Sequence, residues 1–468
     1  MRARAWRRGE DLGLSVLILA AGEGRRMRSR APKVLADLAG RPLIDHVIER
    51  ARSLEPERIR VIVGHGASHV RAALASDVEA VVQPEQRGTG DAVACGLEGL
   101  SASSVVVVLY GDVPLVEPAT LRALADAARQ SDCALLTVNV ANPAGYGRIM
   151  RDAEGEVTRI VEERDANAAE RAVTEINTGL LAMQAGPLAR HVASLDRDNA
   201  QGEYYLTDVI ERVHRGNGRI AAVQPAHAWE VAGVNSRAQL AALERAWQRH
   251  LAEGLMSEGV TLRDPDRIDI RGHLTADCDV LIDVGCVFEG AVALAAGTTV
   301  GPGSFLRDCV IGADTHIEPN SVIVGAEIGS GCRIGPFARI RPGVVLADGT
   351  RIGNFVEVKA SRVGAGSKIN HLAYIGDTDI GRDVNIGAGV ITCNFDGQDK
   401  HRTVIGDGAF IGSDCQLVAP VTVGAHATIG AGSTITRDAP AHQLTVARMK
   451  QRTLADWVAP WKKDQGGE

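Results

Sequence analysis

The chain has 468 residues, enough for two or three domains with substantial cores and too many for one monolithic core. A net charge of −7 argues against general affinity for nucleic acid, and acidic small molecules stay open because local basic residues decide that question. The eight cysteines are scattered without a C-x-x-C pair, so neither a zinc cluster nor a disulfide framework is indicated, and a reducing cytoplasm is the simplest home.

At the N-terminus, MRARAWRR followed by LGLSVLILAA imitates a secretory leader. Glu10 and Asp11 interrupt that pattern, and the apolar run passes straight into a glycine loop. Residues 1–13 are therefore read as a solvated tail, with the true start open, and residues 14–21 as a buried parallel strand. No stretch reads as a membrane span. Helical patterning over 42–53 and strand-like runs at 59–63, 78–82, 105–110 and 134–140 predict an α/β, Rossmann-like domain over 14–236 with a mostly parallel sheet. In such sheets ligands bind outside the carboxyl ends of the strands.

AAGEGRRM stands at such an end. Small residues there let backbone N–H groups approach phosphate oxygens. A lone G-x-G is weak evidence: it is neither the dinucleotide fingerprint nor a P-loop. Arg26 and Lys33 add two cations, which taken alone read equally as solvated surface charges.

The stretch LAAGEGRRMRSRAPKVL resembles the signature of sugar-1-phosphate nucleotidyltransferases, with Arg25 where Thr is usual. The resemblance implies binding of UTP and N-acetylglucosamine 1-phosphate by Leu19, Ala20, Ala21, Gly22, Gly24 and Lys33. QPEQRGTGDA would read the uracil edge through Gln83, Gly88 and Thr89, with Asp91 where His is common. LYGDVPL supplies Tyr110, Gly111 and Asp112. GYGRI, VEERDA and EINTG supply Gly147, Glu162 and Asn177 for the sugar, and VAGVNSR supplies Asn235. Asp112 and Asn235 would hold Mg²⁺, which prefers hard oxygen ligands. Lys33 and Arg26 would act catalytically by neutralising growing phosphate charge.

Residues 237–259 carry Leu240, Leu243, Trp247 and Leu251 at helical spacing and are read as a linker helix. From 260 to 445 an aliphatic returns every six residues, through Ile282, Phe288, Leu294, Val300 and Leu306, then, after a five-residue step, from Ile311 to Val358 with one more such step between Ile323 and Ile328. It runs again from Ile405 through Ile411, Leu417, Val423 and Ile429 to Ile435. That period is the mark of a parallel β-helix, whereas a sandwich of short strands would alternate with period two. The beat breaks at two places, between Ile352 and Ile386 and between Ile391 and Ile405. The second insertion, TCNFDGQDKHRTV, is too long and polar for one side and should project. A basic tail occupies 446–468.

These two places resemble the acetyltransferase half of the bacterial bifunctional enzyme family that makes UDP-N-acetylglucosamine, and the resemblance covers the chain after about residue 14. It implies a left-handed β-helix that acetylates glucosamine 1-phosphate from acetyl-coenzyme A. Arg341 and Lys359 would hold the sugar phosphate, Tyr374, Asn385 and Lys400 would complete the sugar site, and Glu357 would orient the base or the amine. His371 would be the general base, since a pKa near neutrality balances availability with basicity. Ala388, Asn394, Phe395, Lys400, Ser413, Ala431 and Arg448 would line the acetyl-coenzyme A channel, with Phe395 where Tyr is usual. A cytoplasmic homotrimer with sites between neighbouring solenoids is further implied, with no nucleic-acid or membrane partner. A nucleotidyltransferase with a purely architectural solenoid and a non-enzymatic sugar-nucleotide-binding subunit are the rival readings.

Overall fold

A computed structural model describes residues 13–460 apart from 23 and 65. The expected tail over 1–13, save Gly13, lies outside the described residues, as do positions 461–468 and the side chain of Arg25. The chain forms two compact units, Met1–His250 and Leu251–Glu468.

The first unit is built on a mixed sheet. Its strands are β1 (Leu14–Ala20), β2 (Arg58–Val63), β3 (Glu79–Val82), β4 (Val105–Tyr110), β5 (Cys133–Asn139), β6 (Arg148–Arg151), β7 (Val157–Val161), β8 (Glu175–Gln184) and β9 (Ile220–Val223). The order is β9-β5-β8-β4-β1-β2-β3, with the β6/β7 hairpin attached through β8. All pairings along that path are parallel except those of β8, which runs against β4 and β5. Every residue of β1 is buried because its alternate side chains enter two cores: Val16 and Ile18 pack on one face with Val107, and Leu17 on the other with Val106 and Val108. A strand covered on both faces must read as a continuous apolar run, as LSVLILA and VVVVLY do. β1 and β4 pair in parallel with Leu19 opposite Tyr110, so their carboxyl ends open at the same edge.

The segment expected to link the domains is helical over Arg237–Ser257, and the division between the units falls inside it.

The second unit is a parallel β-helix. Each coil contributes strands to three ladders. The first includes Arg351–Asn354, Lys368–His371 and Asn385–Ile386; the second includes Glu357–Lys359, Tyr374–Gly376 and Ile391–Cys393; the third includes Arg362–Val363, Thr378–Ile380 and Thr403–Ile405. All registers within the ladders are parallel, which rules out the sandwich. The expected inward aliphatics, from Ile282 to Val358 and from Ile405 to Ile435, are all buried.

Two details of the expected beat are corrected. The coil does not break between Ile352 and Ile386, because Val363, Ile369, Ile375 and Ile380 keep one aliphatic inside per face. At the second break the inward residue is Thr392, whose register partner is Leu417, and Ile391 points outward and is exposed. The insertion does project: residues 395–400 are exposed, and Phe395 bridges Lys400 in antiparallel fashion.

Candidate active sites

A cavity of about 490 Å³ opens at the carboxyl ends of β1 and β4. Leu19, Ala20, Ala21, Gly22, Lys33, Gln83, Gly88, Thr89, Tyr110 and Asp112 line it, together with Gln86 and Glu203, which the sequence reading passed over. The Gly111 N–H donates to the Leu19 carbonyl at 2.9 Å and fixes the two strand ends. At Gly24, φ is +63° and a Cβ would stand 2.6 Å from the Lys33 Cβ, so only glycine lets the loop cross the lysine. Lys33 then reaches inward: its Nζ pairs with Asp112 Oδ2 and donates to Asn235 Oδ1 at 2.9 Å. The Val234 N–H donates to the Asp112 carbonyl at 2.9 Å, tying the two oxygen-bearing loops together. Two hard oxygens from distant segments thus converge on one cationic atom, a donor set that fits a divalent ion completed by phosphate and water.

Arg26 does not join them. It is exposed and does not line the cavity. It lies on a 3₁₀ turn, Arg25–Met27, whose Met27 is buried with Leu38, Leu43 and Leu115. Neighbouring side chains on such a turn diverge by about 120°, so seating Met27 sends Arg26 toward solvent.

At the other end of the cavity, Gln83 is 3% exposed. Its Nε2 donates to the Gly88 carbonyl at 3.1 Å and to Asp91 Oδ2 at 2.8 Å. Gly88 has φ +118°, and a Cβ there would meet the Tyr204 carbonyl at 2.6 Å. Thr89 Oγ1 accepts from the Leu206 N–H at 3.0 Å. Burial pushes the Tyr110 phenol far up, and the carboxylates of Glu162 and Asp112 push the same way.

Gly147, Glu162 and Asn177 meet beyond Tyr110. The Asn177 N–H donates to the Gly147 carbonyl at 2.8 Å. A Cβ on Gly147 would lie 2.9 Å from Ile160 Cγ2 and 3.4 Å from the Glu162 carboxylate. Glu162 is raised above the ordinary glutamate range by burial, against a 3.1 Å hydrogen bond from Thr207. Thr207 was missed because its partner lies 45 residues away, with no local pattern linking them.

In the solenoid, two groups of the expected residues stand at opposite edges of the second face. His371 ends the strand Lys368–His371, at the corner shared with the first face. Its Nδ1 lies 3.0 Å from Asn354 Oδ1, one coil earlier. An amide oxygen only accepts, so Nδ1 carries a proton, and in the neutral ring this tautomer leaves the lone pair on Nε2. His371 also borders a groove of about 250 Å³ with Arg333, Arg351 and Asn370.

The second group surrounds Asp377, another residue the sequence reading missed. Lys359 pairs with Asp377 at 3.1 Å, and Asn394 Nδ2 donates to the same oxygen. The hydrogen bond that Lys359 donates to Asp377 raises its pKa. Burial works against ionisation of Asp377, yet Asn394 and Lys359 hold it below the usual carboxylate range. Lys400 is lowered chiefly by the neighbouring Lys359 ammonium. Arg341 pairs with Glu357 at 2.7 Å. Tyr374 stacks on Glu357 in register, and an added Cβ on Gly376 would meet both its hydroxyl and the Asn394 amide.

Asn385 lies on the first face, between Lys368 and Phe410, away from that group. Ala388, Ser413, Ala431 and Arg448 follow one another up the coils. The Ala388 carbonyl accepts from the Asp414 N–H at 2.7 Å, Ser413 accepts from Gly432 at 2.9 Å, and the Arg448 guanidinium donates to the Ala431 carbonyl.

The family model for the MobA-like NTP transferase domain matches residues 16–257. Those for the bacterial transferase hexapeptide (six repeats) and the GMPPB C-terminal domain match 402–437 and 270–354. Relatives named Bifunctional protein GlmU match along nearly the whole chain. That of Alkalilimnicola ehrlichii is 57% identical, over 98% of this chain and 99% of its own. That of Cupriavidus pinatubonensis is 54% identical over 96% and 99%, and that of Ralstonia pickettii 53% identical over 97% and 100%.

Proposed function

The chain belongs to the bifunctional GlmU family, and from that premise we infer that its two units catalyse successive steps toward UDP-N-acetylglucosamine. It is both a nucleotidyltransferase and an acetyltransferase. The left-handed β-helix acetylates glucosamine 1-phosphate with acetyl-coenzyme A. The α/β unit then joins N-acetylglucosamine 1-phosphate to the uridylyl group of UTP and releases pyrophosphate. The convergence of Lys33, Asp112 and Asn235 at one end of a cavity with Gln83 at the other carries the reading.

In uridylyl transfer a sugar-phosphate oxygen forms the new bond to the α-phosphorus as the bond to pyrophosphate breaks. No protein nucleophile is required; the site must align two anions and balance their charge. Lys33 meets the phosphates from the floor of the cavity, and Glu162, Asn177 and Gly147 receive the sugar. Asp112 and Asn235 would hold Mg²⁺, which supplies charge neutralisation at the phosphates when bound. Arg26, exposed as it stands, acts at the cavity mouth once phosphates extend there.

In acetyl transfer the amine forms a C–N bond to the thioester carbonyl carbon and the C–S bond breaks. Nε2 of His371 takes the amine proton and returns it to the departing thiolate. Lys359 and Arg341 bind the sugar phosphate, with Lys400, Glu357, Tyr374 and Asn385 around the sugar. Ala388, Asn394, Phe395, Ser413, Ala431 and Arg448 receive the coenzyme.

A trimer completes this site. Phe337, Phe355 and Leu372 are 49%, 57% and 62% exposed, and the two rings stack at 5.4 Å along the corner beside His371. Such an apolar ladder suits a neighbouring solenoid, which would also bring the Lys359 group of one copy toward His371 of another. A cytoplasmic setting agrees with eight unpaired thiols. No described helix is long and apolar enough to cross a membrane.

The test supplies glucosamine 1-phosphate, acetyl-coenzyme A, UTP and Mg²⁺, then omits each. Failure to form UDP-N-acetylglucosamine from the full mixture refutes the reading.

A further inference from the structure

We propose that Asp91 fixes the orientation of the Gln83 amide and thereby sets the preference for a uracil base over cytosine. The inference rests on the reading of this cavity as a UTP site. Gln83 is almost wholly buried at the cavity wall, so the direction of its amide is decided by protein neighbours. An amide side chain carries an acceptor and a two-hydrogen donor of nearly the same shape, and the two orientations present opposite chemistry to a ligand. Here both hydrogens of Nε2 are committed, one to the Gly88 carbonyl at 3.1 Å and one to Asp91 Oδ2 at 2.8 Å. A carbonyl and an ionised carboxylate can only accept. A flipped amide would set its oxygen against two acceptor oxygens and forfeit both bonds.

The carboxylate is held in place by the fold. Asp91 lies in the first turn of the helix Thr89–Leu97, where the exposed N–H groups favour negative charge. The locked amide leaves Oε1 without a donor among the described residues. Gly88 lines the same cavity, and its N–H donates to no described backbone group. An acceptor and a donor in one lining match the N3–H and C4=O edge of uracil. Cytosine presents an acceptor at N3 and an amino group at C4, the reverse pattern, and leaves buried polar groups unpaired. Histidine or asparagine at position 91 would be ambivalent, since each can donate as well as accept. The Gly88 carbonyl opposes the flip whatever stands at 91, and the carboxylate adds the second half of the lock, which belongs to this chain's departure from the usual His.

The test compares kcat/KM for UTP and CTP, by pyrophosphate release with N-acetylglucosamine 1-phosphate, in the full-length protein and in Asp91→Asn and Asp91→Glu. Asp91→Asn is expected to reduce the UTP:CTP ratio by about 10-fold, the worth of one hydrogen bond to a charged group. Asp91→Glu keeps an acceptor-only group and should retain most of the ratio. A general loss of packing would lower both rates together and leave the ratio alone. A wild-type protein that prefers UTP while Asp91→Asn keeps the full preference overturns the role of Asp91 and leaves the uridylyl reading standing. A wild-type protein with no preference for UTP overturns both. Should Asp91→Asn not be recovered folded, Asp91→Thr, whose hydroxyl also donates and accepts, is measured against the same two outcomes.

Discussion

Replacing Lys33 with alanine should separate two consequences of one ion pair. Lys33 and Asp112 are 13% and 15% exposed, so their attraction is only partly screened. At an effective dielectric of about 20, unit charges about 4 Å apart attract by roughly 4 kcal/mol. Desolvation offsets part of this, leaving about 1–3 kcal/mol of net pairing. In the free protein that ammonium occupies the point on which Asp112 and Asn235 converge, and so competes with a divalent ion. Its removal should tighten Mg²⁺ binding by roughly 10- to 100-fold, at about 1.4 kcal/mol per decade. The same change deletes a cation facing the phosphates in the transition state and should lower kcat for uridylyl transfer by about 10²–10³. Calorimetric Mg²⁺ titration of the free protein reads the first effect, and pyrophosphate release under saturating Mg²⁺ reads the second. Acetyl transfer, in the other unit, should stay unchanged. Weaker Mg²⁺ binding together with the lower rate would mean that Lys33 supports the metal site and does not compete with it. An unchanged kcat would remove its catalytic role.

In the solenoid, His371→Ala should reduce coenzyme A release at least 100-fold. Asn354→Ala should reduce it about 10-fold by freeing the ring tautomer; an unchanged rate would make Asn354 merely structural. Gly353→Ala places a Cβ 1.9 Å from the Asn370 carbonyl oxygen, so the ladder beneath Asn354 and His371 must part. Acetyl transfer should fall and uridylyl transfer persist, and equal loss of both would contradict this. In the α/β unit, Asp208 is pushed up to about 6 by burial and then by Asp196. A raised folded pKa means the folded state binds the proton more tightly, so stability falls as pH rises from about 4 through about 6. Asp208→Asn should therefore gain about 1 kcal/mol at pH 7.5, after discounting for partial exposure, and nothing at pH 4. Thermal melts at the two pH values check the sign.

The solenoid was legible because each face admits one inward side chain, and a narrow interior accepts little except a branched aliphatic. The same logic revealed β1 and β4 as continuous apolar runs. What stayed hidden depends on residues brought together by stacking. Asn354 meets His371 across 17 positions, and Asp377 meets Lys359 across 18. Those separations are one turn of the coil, invisible until the five-residue steps fix how long each turn is. Arg26 stands beside the phosphate loop in the sequence, yet the burial of Met27 decides which way the turn faces in the free protein, and that depends on Leu38, Leu43 and Leu115 elsewhere along the chain. Gln83, expected at the uracil edge, lines the cavity, but its orientation depends on Asp91, eight residues away and seen only as a departure from a pattern.

Thr392 explains why the lapse in the beat coincides with the proposed acetyltransferase site. It holds the place of an aliphatic, between Ile375 and Leu417 in the second ladder, and is fully buried. Its β-branched shape fills the space a valine would. The added hydroxyl accepts from the Gly376 N–H at 2.8 Å and donates to the Gly376 carbonyl at 3.2 Å. Gly376 directly precedes Asp377, and Thr392 lies two residues before Asn394, the two side chains that meet over Lys359. A valine at 392 would preserve the packing but leave the Gly376 N–H unpaired in the core, a cost of about 1–3 kcal/mol. The polar substitution in the core thus clamps the base of the projecting loop to the coil carrying its partners, so the insertion can be long and exposed at its tip while Asn394 is held against Asp377.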